Sequence, residues 1–215
     1  MPQIEIIPAI IPKNFIELGQ KISLVEKYFE WAQIDVMDNV FVKNETWRDP
    51  TQLRDIVTKI NIEVHLMVWE PEKTIQEWMA SGVKRILVHF ESTQGRLEIL
   101  ERIKRVGLEA GIVLNPETPP EFVEDFGVLT DVIQVMTVNP GWVGQEFLGD
   151  MLSKIRALRQ RFPEKPIAVD GGINPETAKK AIQAGANRLI VGSYIYESGN
   201  VKGALERLKL ATSNK

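Results

Sequence analysis

Four residues with acid–base or metal-binding side chains close short runs rich in β-branched residues: Asp35, His65, His89 and Asp170. Any one of them alone has an ordinary reading, as a loop cap, an ion-pair partner or a satisfied core group. Four at matching ends of different runs point to chemistry. Unpaired buried charge is costly, and such groups persist where they hold a cation or move a proton. His65 and His89 are the only histidines in the chain.

Glycine supplies the second signal. Gly171 and Gly172 directly follow Asp170, and Gly192-Ser193 follows the last β-branched run. Turns of this kind let backbone N–H groups come close to an anion such as phosphate. The segment Asn139-Pro140-Gly141-Trp142-Val143-Gly144-Gln145 reads as a further loop able to close over a ligand. Neither a Walker sequence nor a dinucleotide glycine fingerprint occurs. Met37, Met67 and Met136 each end a run. Methionine is usually core filler, and three at one depth also suit a water-poor lining beside developing negative charge.

Placing these residues together requires a repeating scaffold. Strand-like runs fall at 4–10, 31–37, 62–67, 85–89, 110–114, 131–136, 167–169 and 188–191, each expected to lead into a helical stretch. The clearest helices are 15–28, 71–80, 97–105, 150–161, 175–184 and 201–210. Asn174-Pro175-Glu176 marks a helix start, while Gly82, Gly107 and Gly185 mark helix ends. Strict alternation implies parallel strands with right-handed crossovers.

Residues two apart on a strand face the same way. Gln33, Asp35 and Met37 thus share a face, as do Glu63, His65 and Met67, Leu87 and His89, Gln134 and Met136, and Ala168 and Asp170. The opposite faces are apolar. This pattern predicts an α/β fold, a single (β/α)8 barrel over 1–215 with its site at the C-terminal ends of the strands.

Composition limits the partners. The 215 residues are 44% hydrophobic and 26% charged, with a net charge of −3 and no basic stripe, so nucleic acid is not an expected partner. With no cysteine, there are no disulfides or thiolate metal sites. No apolar stretch approaches the ~20 residues of a membrane span, and no leader pattern precedes the first strand. The expected setting is cytoplasmic.

Ile34-Asp35-Val36-Met37-Asp38, Val64-His65-Leu66-Met67, Val138-Asn139-Pro140-Gly141, Gly144-Gln145-x-Phe147, Val169-Asp170-Gly171-Gly172-Ile173-Asn174 and Gly192-Ser193 occur in order along nearly the whole chain. Together they resemble the motifs of the ribulose-phosphate 3-epimerases, metal-dependent TIM barrels that interconvert ribulose 5-phosphate and xylulose 5-phosphate. The resemblance implies that Asp35 and Asp170 form the acid–base pair. His65 becomes a ligand, with both aspartates, to a divalent metal ion beside the substrate. Gly141, Trp142, Val143, Gly144, Gly171, Gly172, Gly192 and Ser193 become the substrate and phosphate loops, and the three methionines the floor. It also makes a homo-oligomer an expectation.

Several positions depart from the family pattern. Gln33 stands where the family has a metal-binding histidine, and a neutral amide oxygen is a weaker ligand for zinc-like ions. Ala9 and Pro12 replace serines, Asn39 and Val143 replace glycines. Two other readings therefore stand beside the epimerase: another sugar-phosphate epimerase or decarboxylase on the same barrel, and a sugar-phosphate-binding relative without turnover.

Overall fold

The computed structural model describes residues 3–213, so Met1, Pro2, Asn214 and Lys215, the ends of the expected 1–215 unit, lie outside the described residues. Eight parallel strands close on themselves in sequence order, the last pairing with the first. They are β1 (Glu5–Ile10), β2 (Trp31–Met37), β3 (Asn61–Met67), β4 (Arg85–His89), β5 (Glu109–Leu114), β6 (Val132–Met136), β7 (Ile167–Asp170) and β8 (Arg188–Val191). The expected barrel is the observed one.

Side-chain alternation explains the closure. Ile34, Val36, Val64, Leu66, Ile86 and Val88 point outward into the main apolar cluster beneath the helices. Ile7, Ala9, Leu87, Val113, Val132, Met136, Ala168 and Ile190 pack together in a second cluster. The β2–β3 pairing sets Asp35 opposite His65 and Met37 opposite Met67, so the chemistry-bearing residues of these strands share one level.

The helices are α1 (Phe15–Val25), α2 (Ile75–Met79), α3 (Arg96–Arg105), α4 (Met151–Arg161), α5 (Pro175–Ala184), α6 (Ser193–Tyr196) and α7 (Val201–Ser213). Asn174 caps α5 as expected, accepting the N–H groups of Glu176 and Thr177. Four expectations are corrected. The first helix stops at Val25, and Tyr28 belongs to a turn bonded to the Val25 carbonyl. The 71–80 stretch splits into a 3-10 turn, Pro71–Lys73, and the short α2, because Thr74 has left helical geometry at φ −121°. The strands β2 and β5 are not followed by α-helices, only by the 3-10 turns Gln52–Asp55 and Pro120–Val123. Pro120 opens the second of these turns, a first helical position that proline accepts.

Candidate active site

Asp35, Met37, Met67, Met136 and Asp170 lie at or near the ends of their strands, at the same mouth, and line one cavity. Ala9, Gly141, Trp142, Val143, Gly144, Gly171, Gly172, Gly192 and Ser193 line it too. Of the residues singled out from sequence for their side-chain chemistry, Gln33, His65 and His89 are missing from the wall. All three are fully buried.

Gln33 reaches the acids through its amide nitrogen. Nε2 donates to Asp35 Oδ1 at 2.8 Å and to Asp170 Oδ2 at 2.8 Å. Gln134 Nε2 donates to the same Asp170 oxygen at 3.0 Å. Two carboxylates facing each other favour N–H donors over a carbonyl, which explains the amide orientation. Its cost is that Gln33 Oε1 and Gln134 Oε1 are buried without a hydrogen-bond partner. His65 Nδ1 lies 3.1 Å from Asp35 Oδ1 and 3.5 Å from Asp170 Oδ2.

The electrostatics follow from burial and proximity. Burial pushes the Asp35 carboxyl up to about 6, the nearby Asp170 charge adding to the rise while hydrogen bonds from His65 and Gln33 oppose it. For His65, burial works against the charged ring. The hydrogen bonds and charges of Asp170 and Asp35 outweigh it and raise the imidazole to about 9. Burial depresses His89, behind His65, to about 4.

The scaffold holds this cluster firmly. Thr46 Oγ1 donates to the Asp35 carbonyl at 3.0 Å and accepts the Met37 N–H at 2.9 Å, pinning the end of β2. Asn44 Nδ2 donates to the Gly141 carbonyl at 2.7 Å, tying the loop after β2 to the loop after β6. Along the other side of the cavity and the groove that adjoins it, the N–H groups of Gly172, Ser193 and Tyr194 have no protein acceptor among the described residues. Gly172 has φ +65°, and a Cβ there would lie 2.5 Å from the Phe147 backbone nitrogen, so the turn accepts only glycine without distortion.

One oxygen or nitrogen from each of Asp35, His65 and Asp170 lies within 4.8 Å of the others, a grouping able to hold a metal ion. The donor set of two carboxylates and an imidazole fits such an ion. The unpartnered Gln33 Oε1 adds an oxygen that a turned amide would bring to it.

A family model described as the ribulose-phosphate 3 epimerase family matches residues 5–196. The chain belongs to the ribulose-phosphate 3-epimerase family. A ribulose-phosphate 3-epimerase of Synechocystis sp. is 38% identical over 94% of this chain and 91% of its own. That of Bacillus subtilis is 37% identical over 96% of this chain and 98% of its own. Among solved structures, 3-hexulose-6-phosphate synthase from Salmonella typhimurium superposes with a TM-score of 0.74 at 16% identity, covering 97% of this chain and 98% of that one. At that identity the likeness speaks for the barrel alone.

Sequence reasoning left three residues around this cluster without a role. Gln134 was visible only as an inward-facing neighbour of Met136. Glu91 lies in the 3-10 turn Phe90–Ser92 beyond β4, where no strand alternation signals direction. Thr46 lies in the loop after β2, and nothing local marks it as the brace of that strand's end.

Proposed function

We propose that this chain is a ribulose-phosphate 3-epimerase, an isomerase acting at C3 of ribulose 5-phosphate and xylulose 5-phosphate. One observation carries the reading: both carboxylates and both glycine turns open on the same cavity. The membership of the family supplies the substrate.

In this reading one aspartate takes the C3 proton, and the C–H electron pair moves toward the C2 carbonyl to form an enediolate. The other aspartic acid returns a proton to C3 from the opposite face. Two carboxyl groups, one on each side of a planar intermediate, are the minimal set for inversion. Asp35, with its carboxyl held near 6, is suited to exchange protons near neutral pH. The N–H groups of Gly172, Ser193 and Tyr194 grip the phosphate, and this remote grip orients C3 between the acids. The three methionines keep water from the floor. Asp35, His65 and Asp170 would hold a divalent cation, with Gln33 Oε1 as an added ligand once its amide turns over. Such an ion supplies Lewis-acid stabilisation of the enediolate charge.

The test is incubation with ribulose 5-phosphate in deuterium oxide, with and without added divalent cations. Xylulose 5-phosphate carrying deuterium at C3 is the expected product. Bound but unexchanged ribulose 5-phosphate would reveal a binding protein, and deuterium entering a carbon other than C3 a different enediolate reaction. Either outcome overturns the proposal.

A further inference from the structure

A line of hydrogen bonds leads away from the acid pair on the side opposite the cavity. His65 turns Nδ1 to the carboxylates, and its Nε2 lies 2.8 Å from His89 Nε2. His89 Nδ1 lies 3.3 Å from Glu91 Oε2. The other carboxylate oxygen, Glu91 Oε1, accepts the Asn115 N–H at 2.9 Å and the Thr118 hydroxyl. Both rings are fully buried and meet edge to edge, their centroids 4.9 Å apart and their planes 22° from parallel.

Each contact carries one proton, and the acceptor-only end decides where all of them sit. An ionised carboxylate has no proton to give, so His89 must place its own on Nδ1. Its Nε2 then presents a lone pair. The facing Nε2 of His65 must therefore be the N–H. That leaves Nδ1 as the His65 nitrogen facing Asp35 and Asp170, where a cation would take the place of the proton those carboxylates hold. Free histidine side chains favour the Nε2–H form, so His89 is held in the less common tautomer.

We propose that Glu91, acting through His89, is a positioning residue that sets the tautomer with which His65 faces the two aspartates. The inference rests on the epimerase reading for its purpose, though its test does not need substrate. Outer partners of this kind commonly fix ring orientation and tautomer at metal sites.

The geometry makes an isosteric variant informative. Two donors converge on Glu91 Oε1. In Glu91→Gln the side-chain carbonyl must take that place, which turns the NH2 group toward His89. His89 then has to accept at Nδ1 and place its proton on Nε2, so His65 can accept there only by giving up its own Nε2 proton and keeping the one on Nδ1 beside the carboxylates. One substitution should change the protonation of both rings.

Nitrogen-15 NMR of the two histidines, in chelator-treated protein, reads this directly. The wild-type protein should show His89 protonated at Nδ1 and not at Nε2, with His65 protonated at Nε2. Glu91→Gln should reverse the His89 pattern and lower zinc affinity about 10–100-fold. A wild-type His89 protonated at Nε2 overturns the proposal, whether or not the variant folds. So does a Glu91→Gln spectrum unchanged from wild type. The expected spectra without turnover of ribulose 5-phosphate would remove the epimerase reading and leave the relay standing. Turnover with the opposite wild-type tautomer would do the reverse.

Discussion

Gln33 Nε2 donates to Asp35 Oδ1 over 2.8 Å, from a position two residues earlier on the same strand face. The same nitrogen reaches Asp170, so one neutral amide holds both acids. A hydrogen bond to a charged group is worth about 1.5–3 kcal/mol, and losing it favours the protonated acid. In metal-free Gln33→Leu, the Asp35 carboxyl should titrate at least about one unit above wild type. Carbon-13 NMR of the aspartate carboxyls in chelator-treated protein measures this. Gln33→His should instead tighten zinc at least about tenfold by calorimetric titration, since imidazole suits that ion better than an amide oxygen. No gain would speak against Gln33 as a fourth ligand.

The proposed function sets one acid on each face of the substrate, so removing one should separate proton exchange from inversion. Asp35→Asn and Asp170→Asn should each lose about 10²–10⁴-fold in epimerisation. Each variant keeps one carboxylate able to take the C3 proton from the epimer that faces it. Deuterium should therefore enter C3 of one pentulose phosphate in Asp35→Asn and of the other in Asp170→Asn, with little inversion in either. If both variants exchange the same epimer, the two aspartates do not stand on opposite faces of the substrate and the assignment fails.

Asp35, His65 and Asp170 were legible in the sequence because strand alternation gives direction and a strand end gives depth. The glycine turns were legible for a related reason, as they follow directly on β7 and β8. The orientation of the Gln33 amide was not. It depends on a carboxylate 137 positions away, and no local pattern reports which end of an amide faces it. The role of Glu91 was hidden for the same reason, since its partners on β4 and after β5 meet only once the barrel closes. Helices were overread after β2 and β5 because alternation of elements was extended to every unit, and a proline such as Pro120 opens a 3-10 turn as readily as an α-helix.

Gly172→Ala tests the phosphate turn. The new methyl group would meet Phe147 N at 2.5 Å and Cα at 2.8 Å, backbone atoms that cannot swing aside, at a φ of +65°. Strain of this kind costs about 1–3 kcal/mol. At about 2–4 °C per kcal/mol for a chain of this size, Tm should fall by about 2–12 °C. The KM for ribulose 5-phosphate should rise more than kcat falls, because the change displaces a phosphate donor and leaves both acids in place. A variant with wild-type KM would place the phosphate elsewhere.

The far end of the barrel carries a different kind of dependence. Arg85 is buried and pairs with the equally buried Glu63, bonds Glu109 through Nε at 2.7 Å, and lies 4.0 Å over the Trp31 ring. Burial raises the Glu63 carboxyl, and the Arg85 charge opposes that rise. Arg85→Met therefore leaves a buried acid without its partner, a loss of about 3–5 kcal/mol. Replacing both, as Glu63→Leu with Arg85→Met, removes the stranded charge, and apolar pairs of similar volume often match a buried ion pair in stability. Glu109 is partly exposed, so its loss of a partner costs little. Thermal unfolding should thus rank wild type and the double variant close together, with Arg85→Met well below both. If the double variant is as unstable as the single one, the arginine contributes through its packing on Trp31 and not through its charge.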